Sequence, residues 1–320
     1  MMQSIAVTDL HGNLRLYELT LRIAETWRIA SVFITGDLAP SSVYRTTNAG
    51  DAVAVQRQFF ERELFPLLES FFLRRRHCHI YTIMGNDDRR ANEDLLRDFD
   101  RSSANFHLVN NTLVELEEAR KMRSFFPGDD LPLYVAGYPY VPPGGALVMD
   151  WVKYENRVRL CPPDMDPCSD IYEVGVLSVS SPPTTTMADD LSDFPAFLRT
   201  CGAPAAWDYD PSRTVHLFHA PPYNTPLDWV APRGRYEFLR LPDHVGSMEI
   251  RRFVERMQPH LVLCGHCHES VVFGDYKTDI GQSRCANPGS QAQTDVLSVI
   301  QFNVYRPDDM RQYFIHADQA

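Results

Sequence analysis

The sequence predicts an α/β fold built on parallel strands, and three observations support this prediction. Short apolar segments alternate with segments of helical periodicity from residue 5 to residue 101. Such alternation favours parallel strands joined by right-handed helical crossovers. A polar residue that can bind a metal follows directly after five apolar segments. The chain has 320 residues, 44% of them hydrophobic, which is enough for one domain with a sizeable core.

The N-terminal part is predicted to contain three buried strands, each followed by a helix. Helices are expected where apolar residues recur at a spacing of three and four, as Leu16, Leu19 and Ile23 do. Pro66 lies inside the second predicted helix, so we expect a kink or a break there. The strands and helices alternate along the chain at residues 5–8, 13–28, 31–35, 51–76, 79–84 and 91–101.

The middle of the chain loses this alternation. Three short strands are predicted at residues 106–109, 112–115 and 133–136. Residues 137–212 contain repeated prolines and little periodicity, which predicts a long insertion within a single domain spanning residues 1–320. Because long loops in compact domains are often functional, the insertion is either a cap over the substrate or an irregular surface segment.

The last part of the chain regains regular patterns. A strand, a helix and a second strand are predicted at residues 214–218, 245–257 and 261–263. Four shorter alternating segments follow them, and their pattern is typical of an antiparallel meander. These segments lie at residues 270–273, 277–280, 283–286 and 296–302.

The overall charge and the cysteines restrict the class of protein. The formal net charge is -11, which argues against general nucleic-acid binding because phosphate backbones are held mainly by Lys and Arg. We find no N-terminal signal with a basic and an apolar part, and no apolar run long enough to cross a membrane. No membrane span is therefore expected. The 7 cysteines are odd in number and scattered, which favours reduced thiols and a cytoplasmic location.

Five polar motifs, each directly after a predicted strand, carry the candidate chemistry. In open α/β sheets ligands bind beyond the carboxyl ends of the strands, so motifs on different strands can meet in one place. A single Asp-x-His, or a single polar residue after a strand, is a weak signal that more often indicates a turn or a cap. The ordered set is a strong signal, and it consists of Asp9-Leu10-His11, Gly36-Asp37, Gly85-Asn86, His219 and Gly265-His266-Cys267-His268.

Local spacing is consistent with metal binding. Asp9 and His11 lie two residues apart, so in an extended chain they point to the same side. A glycine directly before a candidate ligand permits a sharp turn and a close approach of the backbone to a ligand. Mixed imidazole and carboxylate ligands suit first-row transition metals better than they suit Ca²⁺ or Mg²⁺.

One motif has a competing interpretation. The run Cys264-Gly265-His266-Cys267-His268 also fits the pattern for covalent attachment of c-type haem. Such attachment belongs to exported proteins, and it would leave the four upstream motifs unexplained. We therefore interpret Cys264 as a small buried apolar residue.

The five motifs, in this order, resemble the signature of the calcineurin-like metallophosphoesterases. The resemblance spans residues 9–268, and Asn287-Pro288-Gly289-Ser290 is similar to a later element of some bacterial members. It implies a four-layer αββα sandwich of two mixed sheets, with a pair of metal ions at the carboxyl ends of the strands. It also implies that a hydroxide bridging the two ions attacks phosphorus in line.

The resemblance further implies a role for each candidate residue. The first metal would be held by Asp9, His11 and His268, and Asp37 would bridge both metals. The second metal would be held by Asn86, His219 and His266. Asp37, Asn86 and Asp87 are the catalytic candidates, and Asn86 and Arg284 are the candidates for contact with substrate.

The residue after Asn86 departs from the pattern of many members, which carry a histidine that protonates the leaving oxygen. This chain has Asp87. A carboxylate beside two dications stays ionised, which makes it a poor proton donor, so our hypothesis is that Asp87 is not the general acid. For the adjacent Asp88 two roles stay open, namely orientation of a ligand from behind and capping of the next helix.

The function expected from these observations is hydrolysis of a phosphomonoester or phosphodiester by two ions of Mn, Fe or Zn. The alternative is a catalytically silent scaffold of the same fold that binds a protein partner. All seven ligand positions hold competent residues, which favours the enzyme. We expect a small phosphorylated substrate and no membrane partner, and a homo-oligomer is compatible with the sequence.

Overall fold

The computed structural model describes residues 3–41, 49–117, 132–143, 150–156, 184–203, 209–230, 244–273 and 275–319. Within these residues the strands form two sheets of six. The first sheet has the order β12-β11-β1-β2-β3-β4. Its strands are β1 (Gln3–Val7), β2 (Ser31–Ile34), β3 (His79–Thr82), β4 (Phe106–Leu108), β11 (Val296–Asn303) and β12 (Arg306–His316).

The second sheet has the order β5-β6-β7-β8-β10-β9. Both sheets are mixed, because each has four parallel strands in its middle or on one side and antiparallel strands at its edges. The strands of the second sheet are β5 (Leu113–Glu115), β6 (Tyr134–Tyr138), β7 (Thr214–Phe218), β8 (Leu261–Leu263), β9 (Lys277–Ile280) and β10 (Ser283–Ala286).

Helices cover the outer faces of the two sheets. The first helix begins after Asn13, whose side chain accepts a hydrogen bond from the backbone N–H of Leu16 and so caps it. In chain order the helices are α1 (Leu14–Thr26), α2 (Ala49–Phe59), α3 (Phe65–Arg74), α4 (Glu93–Ser102), α5 (Met187–Ser192), α6 (Phe194–Thr200), α7 (Met248–Met257) and α8 (Ser270–Phe273). In the described part of the chain no helix is both long and apolar enough to cross a membrane.

The alternation of side chains along each strand builds the layers. Ala6 of β1 and Phe33 of β2 belong to the apolar cluster shared with Val215 and Leu217 of the opposite sheet. Their neighbours Ile5 and Val32 belong instead to the cluster that contains the helices. Because side chains point alternately to the two faces of a strand, a fully apolar strand buries both faces. The predicted α/β sandwich of two mixed sheets with flanking helices is confirmed.

The prediction of a C-terminal meander is wrong in part. Residues 270–273 form the helix α8 and not a strand. The strands β9 and β10 do pair antiparallel, but β10 also pairs parallel to β8. The next strand, β11, leaves this sheet and pairs with β1 of the other one. Alternation along a strand defines its two faces and not its partner, so the sequence pattern did not reveal this crossover.

The region predicted as an insertion contains parts that belong to the core. Strand β6 extends to Tyr138, and Trp151 is only 1% exposed. Helices α5 and α6 also lie in this region, and Phe194 of α6 packs edge-on against Phe253 of α7 with 5.4 Å between ring centroids. Residues 144–149 and 157–183 lie outside the described residues, so a cap role for the insertion stays a prediction.

Pro66 does not break its helix in two, and a kink at this residue stays a prediction. The chain stays helical from Ala49 to Arg74, with one wider π-helical turn at Phe60–Leu64 between α2 and α3. Pro66 lies in the first turn of α3, immediately after that turn. A proline lacks the N–H that an α-helix requires, and the wider turn accommodates this loss within a continuous helix.

A buried histidine on β7 links stability to pH. His216 is 1% exposed and lies among aromatic rings, including Phe253 at 5.2 Å between centroids. Its Nδ1 lies 3.3 Å from the carbonyl oxygen of Thr214, and its Nε2 lies 3.1 Å from the hydroxyl of Tyr209. Burial lowers the pKa of His216 to about 3, since the charged ring is disfavoured away from water.

We expect His216 to make the protein less stable as pH falls from about 6.5 towards 3. In this window the unfolded chain binds a proton that the folded chain refuses, so the free energy of unfolding falls by up to about 1.4 kcal/mol per pH unit. Urea unfolding between pH 7 and pH 4.5 should therefore show a shallower pH dependence for His216→Gln than for the wild type. Exposed His77 provides the control, because His77→Gln should leave the dependence unchanged. Parallel curves for His216→Gln and the wild type would contradict this assignment.

Candidate functional site

The five motifs meet at one edge of the sandwich because their strands end there. The parallel strands β1, β2 and β3 end side by side, and β7 and β8 end likewise in the second sheet. Hydrogen bonds tie the following loops together within each sheet, from Asp9 N to Gly36 O at 3.1 Å and from Gly265 N to His219 O at 3.0 Å. A bond across the sheets, from Thr35 Oγ1 to Cys264 O at 3.0 Å, joins the two sets of loops.

Four of the predicted ligands form a first group of converging atoms. One ligand atom from each of Asp9, His11, Asp37 and His268 lies within 4.8 Å of those of the other three. Nε2 of His268 lies 3.1 Å from Oδ1 of Asp9 and 3.1 Å from Nε2 of His11. This spacing suits a single cation bound between them.

The other three predicted ligands form a second group beside the first. Oδ1 of Asn86 lies 2.8 Å from Nε2 of His219 and 2.7 Å from Nδ1 of His266. Asp37 lies between the groups, since its Oδ2 is 3.5 Å from Nε2 of His219 and 3.9 Å from Nε2 of His11. The structure therefore brings all seven predicted ligands into one connected cluster.

The hydrogen bonds around the two central carboxylates leave one oxygen of each directed at imidazole nitrogens. In Asp9, Oδ2 accepts from the hydroxyl of Thr8 at 2.6 Å and from the backbone N–H of His266 at 3.0 Å, while Oδ1 faces His268. In Asp37, Oδ1 accepts from the backbone N–H of Asp87 at 2.8 Å, while Oδ2 faces His11 and His219. Fixing one oxygen in this way orients the other.

The donor set fits metal cations. The carbonyl oxygen of Thr35 accepts a hydrogen bond from Nδ1–H of His219 at 2.7 Å, so that Nε2 of the neutral ring carries the lone pair. That Nε2 faces the amide oxygen of Asn86, another acceptor. Two acceptors at this distance require either a proton or a cation between them, and a mixed His, Asp and Asn set is one that transition metals accept.

The pKa values of the buried residues also indicate that this cluster requires positive charge. Burial would raise the pKa of Asp9, but His268 lowers it well below its usual value. Burial would lower the pKa of His219 and His268, but the carboxylate of Asp37 raises that of His219 to about 10, and Asp9 raises that of His268 to about 9. His266 lies in the same cluster, and burial and His219 lower its pKa to about 4. The two carboxylates thus attract positive charge to this edge.

Four of the seven residues adopt a backbone conformation that side chains rarely take. Their φ angles are 51° for Asp9, 44° for His11, 51° for Asp37 and 65° for His266. Non-glycine residues in this left-handed region are uncommon and cluster at functional sites, because the surroundings must stabilise the strain. Nothing in the sequence indicated this conformation, except the glycines beside these residues.

Close approach explains one of those glycines. A Cβ on Gly85 would lie 2.5 Å from the backbone nitrogen of Asp37 and 2.6 Å from Cε1 of His219. Any side chain on Gly85, in the third motif, would therefore clash with the second motif and with the fourth. Gly36 is required for a different reason, since its φ of 106° lies in the region that only glycine adopts readily.

Asp88 holds the second and third motifs together. It is fully buried, and its carboxylate accepts from the backbone N–H groups of Leu38 at 3.0 Å, Ala39 at 2.8 Å and Gly85 at 2.8 Å. Of the two roles left open for Asp88, helix capping is wrong. The next helical turn and α4 begin after Arg89 and Asn92 with no side-chain cap, and the N–H of Arg90 donates to Asp150 at 2.9 Å. Burial and the nearby Asp37 raise the pKa of Asp88 to about 7.

Two other residues behind the cluster had no assigned structural role in the sequence. The side-chain amide of Gln56 donates to the backbone carbonyl of Asp87 at 2.7 Å, and its oxygen accepts from the N–H of Arg89 at 2.7 Å. Nδ2 of Asn287 lies 3.2 Å from the carbonyl oxygens of both Gly265 and Cys267. The similarity of residues 287–290 to a family element was the signal for Asn287, whereas the sequence contains none for Gln56.

The structure does not bring Arg284 to this edge. Arg284 lies level with Leu261, at the beginning of the neighbouring parallel strand β8, whereas the cluster follows the end of that strand. Its guanidinium forms ion pairs with Asp279 and with Asp308, the latter at 3.3 Å. It lines a cavity of about 360 Å³ with His260 and Tyr305, and none of the cluster residues lines that cavity. The prediction that Arg284 approaches substrate does not agree with this placement.

The cysteines of the fifth motif are buried. Cys264 is 0% exposed and Cys267 is 1% exposed, while His266 and His268 of the same motif face the cluster. A thioether bond to haem requires both thiols to be accessible, so this geometry excludes the competing haem interpretation.

Comparison with known proteins gives one family. A family model of calcineurin-like phosphoesterases matches residues 2–270. No curated protein matches the sequence. Among solved structures, the protein TT1561 of Thermus thermophilus is similar to this chain at 15% identity, with 99% of both chains covered and a TM-score of 0.54, which concerns the fold alone. A dimetal phosphatase from Danio rerio is similar at 10% identity and a TM-score of 0.48, over 99% of this chain and 96% of that chain.

We expect Asp88→Asn to lower the free energy of unfolding by about 1–3 kcal/mol, because a buried N–H group would then face the amide nitrogen in place of an acceptor. Urea unfolding at pH 8, where the wild-type carboxylate is ionised, measures this change. Asp98 has a side chain that is 69% exposed on α4, so Asp98→Asn is the matched control and should leave stability nearly unchanged. Equal stability of Asp88→Asn and wild type would show that the three hydrogen bonds contribute nothing.

Proposed function

We propose, on the basis that this chain belongs to the calcineurin-like phosphoesterase family, that it hydrolyses a phosphoester with a pair of divalent metal ions. The observation that carries this proposal is the convergence of seven competent ligand side chains on one edge of the sandwich. The substrate would be a small phosphorylated molecule, because the net charge of -11 does not favour nucleic acid.

The two groups of side chains correspond to two ions in this proposal. The first ion would be held by Asp9, His11 and His268, and Asp37 would bridge the two through its Oδ2. The second ion would be held by Asn86, His219 and His266. What supports this division is that Asp37 Oδ2 is the oxygen directed at imidazoles of both groups, at 3.9 Å from His11 and 3.5 Å from His219.

Two bound ions would supply water of lowered pKa as the nucleophile and neutralise charge on the phosphoryl oxygens. The residues of the chain determine where this happens. Asp37 would be shared by the two ions, and the amide oxygen of Asn86, which lies 2.8 Å from Nε2 of His219, would help to hold the second ion. Hydrogen bonds of Thr8 to Asp9, of Thr35 to His219 and of Asp87 to Asp37 would hold these candidate ligands in place before substrate arrives. Such preorganisation lowers the reorganisation required in the reaction.

A diester is favoured over a monoester by the charge of Asp87. The Asp87 carboxylate lies 3.5 Å from Nδ1 of His11. Burial and Asp37 raise the pKa of Asp87 in the protein alone, but two bound dications would favour its ionised form, which adds a negative charge that a neutral histidine would not bring. Near neutral pH a phosphomonoester is close to a dianion, whereas a diester is a monoanion, so repulsion from one extra carboxylate weakens binding of the monoester more. We therefore place phosphodiester hydrolysis first and phosphomonoester hydrolysis second.

A catalytically silent scaffold is the alternative from another class. The backbone is strained at Asp9, His11, Asp37 and His266, and strain of this kind lowers stability. It is kept where function requires it, and a silent scaffold would have no such requirement. This observation favours the enzyme. Identity of the metals, cytoplasmic location and the homo-oligomer remain predictions.

We expect Asp37→Asn and His219→Gln to lose bound metal and to reduce phosphodiester hydrolysis by at least about 100-fold, since even the loss of an outer partner of a ligand costs about 10- to 100-fold. Metal content is measured by elemental analysis, and activity on bis-p-nitrophenyl phosphate and p-nitrophenyl phosphate with added Mn²⁺, Fe²⁺ or Zn²⁺. Asp98→Asn and His77→Gln, which carry the same substitutions at exposed positions, are the controls.

Wild-type protein that binds no transition metal and hydrolyses neither ester would refute the proposed function. Faster hydrolysis of the monoester than of the diester would refute the preference for diesters while leaving the two-metal proposal intact.

We expect Asp87→Ala, at saturating metal, to reduce the turnover of two diesters by the same factor, one with a good leaving group and one with a poor leaving group. A general acid matters only when the leaving oxygen requires a proton, so its removal affects the poor leaving group alone. Turnover of bis-p-nitrophenyl phosphate and of a dialkyl-type diester such as a 3′,5′-cyclic nucleotide gives the two factors. A large loss confined to the second substrate would identify Asp87 as the proton donor.

A further inference from the structure

Asp87 stands where many relatives have a proton-donating histidine, and its surroundings in this chain give it another role. Its side chain lies between two of the proposed metal ligands, one from each group. We propose that Asp87 is a positioning residue that orients His11 towards the first ion and Asn86 towards the second. This inference rests on the proposed function, and it concerns residues of this chain rather than the reaction itself.

The first contact is with the imidazole of His11. Oδ2 of Asp87 lies 3.5 Å from Nδ1 of His11, while Nε2 of the same ring faces His268 at 3.1 Å and Asp37 at 3.9 Å. A ring that binds metal through Nε2 keeps its proton on Nδ1, and such rings regularly donate that proton to a carboxylate. Nδ1 is buried and has no hydrogen-bond partner among the described residues, so its proton is available to the Asp87 carboxylate. A closer approach of a few tenths of an ångström would make this contact a hydrogen bond.

The second contact fixes the amide of Asn86. Nδ2 of Asn86 donates to Oδ1 of Asp87 at 3.2 Å. With its nitrogen end held in this way, the amide directs its oxygen at Nε2 of His219 and Nδ1 of His266. The reversed amide would point its N–H groups at the position of a cation and repel it. The carboxylate of Asp87 therefore selects the orientation in which Asn86 is a ligand.

Asp87 is itself held in place, as a positioning residue must be. Its backbone N–H donates to Oδ1 of Asp37 at 2.8 Å, and its backbone carbonyl accepts from the side-chain amide of Gln56 at 2.7 Å. The hydroxyl of Ser41 also interacts with its carboxylate. With only 9% of its surface exposed, Asp87 has little freedom to turn towards a leaving group.

The two contacts distinguish this role from those of nearby carboxylates. Asp88 accepts only backbone N–H groups, and Asp37 faces imidazole nitrogens of both groups directly. Among these three carboxylates, Asp87 alone contacts one candidate ligand through each of its oxygens. It contacts Nδ1 of His11 and Nδ2 of Asn86, and not the atoms of these residues that would bind the metals. Loss of the Asp87 side chain should therefore weaken the binding of both ions without removing a ligand.

The test is a titration of metal-free protein with Mn²⁺, in which electron paramagnetic resonance measures the free ion. We expect the wild type to bind two Mn²⁺ per chain, and Asp87→Ala to bind both about 10- to 100-fold more weakly. Asp87→Asn keeps one acceptor oxygen and should give an intermediate result. Asp98→Ala is the control at an exposed position and should match the wild type. Urea unfolding of the metal-free variants shows whether each one folds.

Each outcome decides the matter. Wild-type affinity at both sites in Asp87→Ala, or a loss at only one site, would refute the double positioning role while leaving the proposed function intact. If Asp87→Ala does not fold, Asp87→Asn takes its place, and unchanged affinity at both of its sites would refute the role equally. A wild type that binds no Mn²⁺ would refute both this inference and the proposed function.

Discussion

The burial of two carboxylates, Asp9 and Asp37, at the edge where the two sheets meet is the constraint on which the rest of the structure depends. An isolated buried carboxylate is costly, so the charge must be compensated locally. Hydrogen bonds satisfy one oxygen of each residue, and imidazoles face the other. In the protein alone the compensation comes from protons on His219 and His268, whose pKa values are about 10 and about 9. Bound dications would supply the same compensation with more charge, and this is why the cluster suits metals.

The loops around the cluster follow from this constraint. To place side chains from five strand ends within a few ångströms, the backbone has to turn sharply, and four of the ligands take left-handed conformations as a result. The strain is supported by contacts that have no role in chemistry. Asp88 joins the loops after β2 and β3, and Asn287 holds the loop after β8. Rigid support of this kind keeps a metal site in shape before the metal binds.

Much of this arrangement could be predicted from the sequence, and the reasons for success and failure are physical. The strands β7 and β8 were predicted at their observed bounds, because short apolar runs between turn residues are buried on both faces. The convergence of the seven candidate ligands was predicted because their motifs follow strands that end together. Pairing between distant strands was not predictable in the same way. The move of β11 into the first sheet depends on tertiary contacts with β1, and β12 was not predicted at all because its burial is irregular along its length.

The site was less predictable where a residue acts through another residue. Arg284 carries a charge suited to phosphate, but its position at the beginning of β10 binds it to Asp279 and Asp308 instead. Gln56 gave no signal because its contacts are to backbone atoms of a distant loop. Charge and residue type indicate what a side chain can bind, whereas register and strand direction decide what it meets.

Asp87 illustrates how a position beside a metal site can serve in two ways, as a proton donor or as an acceptor that orients its neighbours. A general acid needs a proton near neutral pH, and two dications close by keep a carboxylate ionised. An ionised carboxylate is, however, the acceptor that a metal-bound imidazole and an oriented amide require. Bound dications would therefore make Asp87 a poorer acid and a stronger acceptor towards His11 and Asn86, the two candidate ligands it contacts. In a chain that binds two dications, the electrostatics that would remove proton donation from this position would also make it suitable for fixing the metal site.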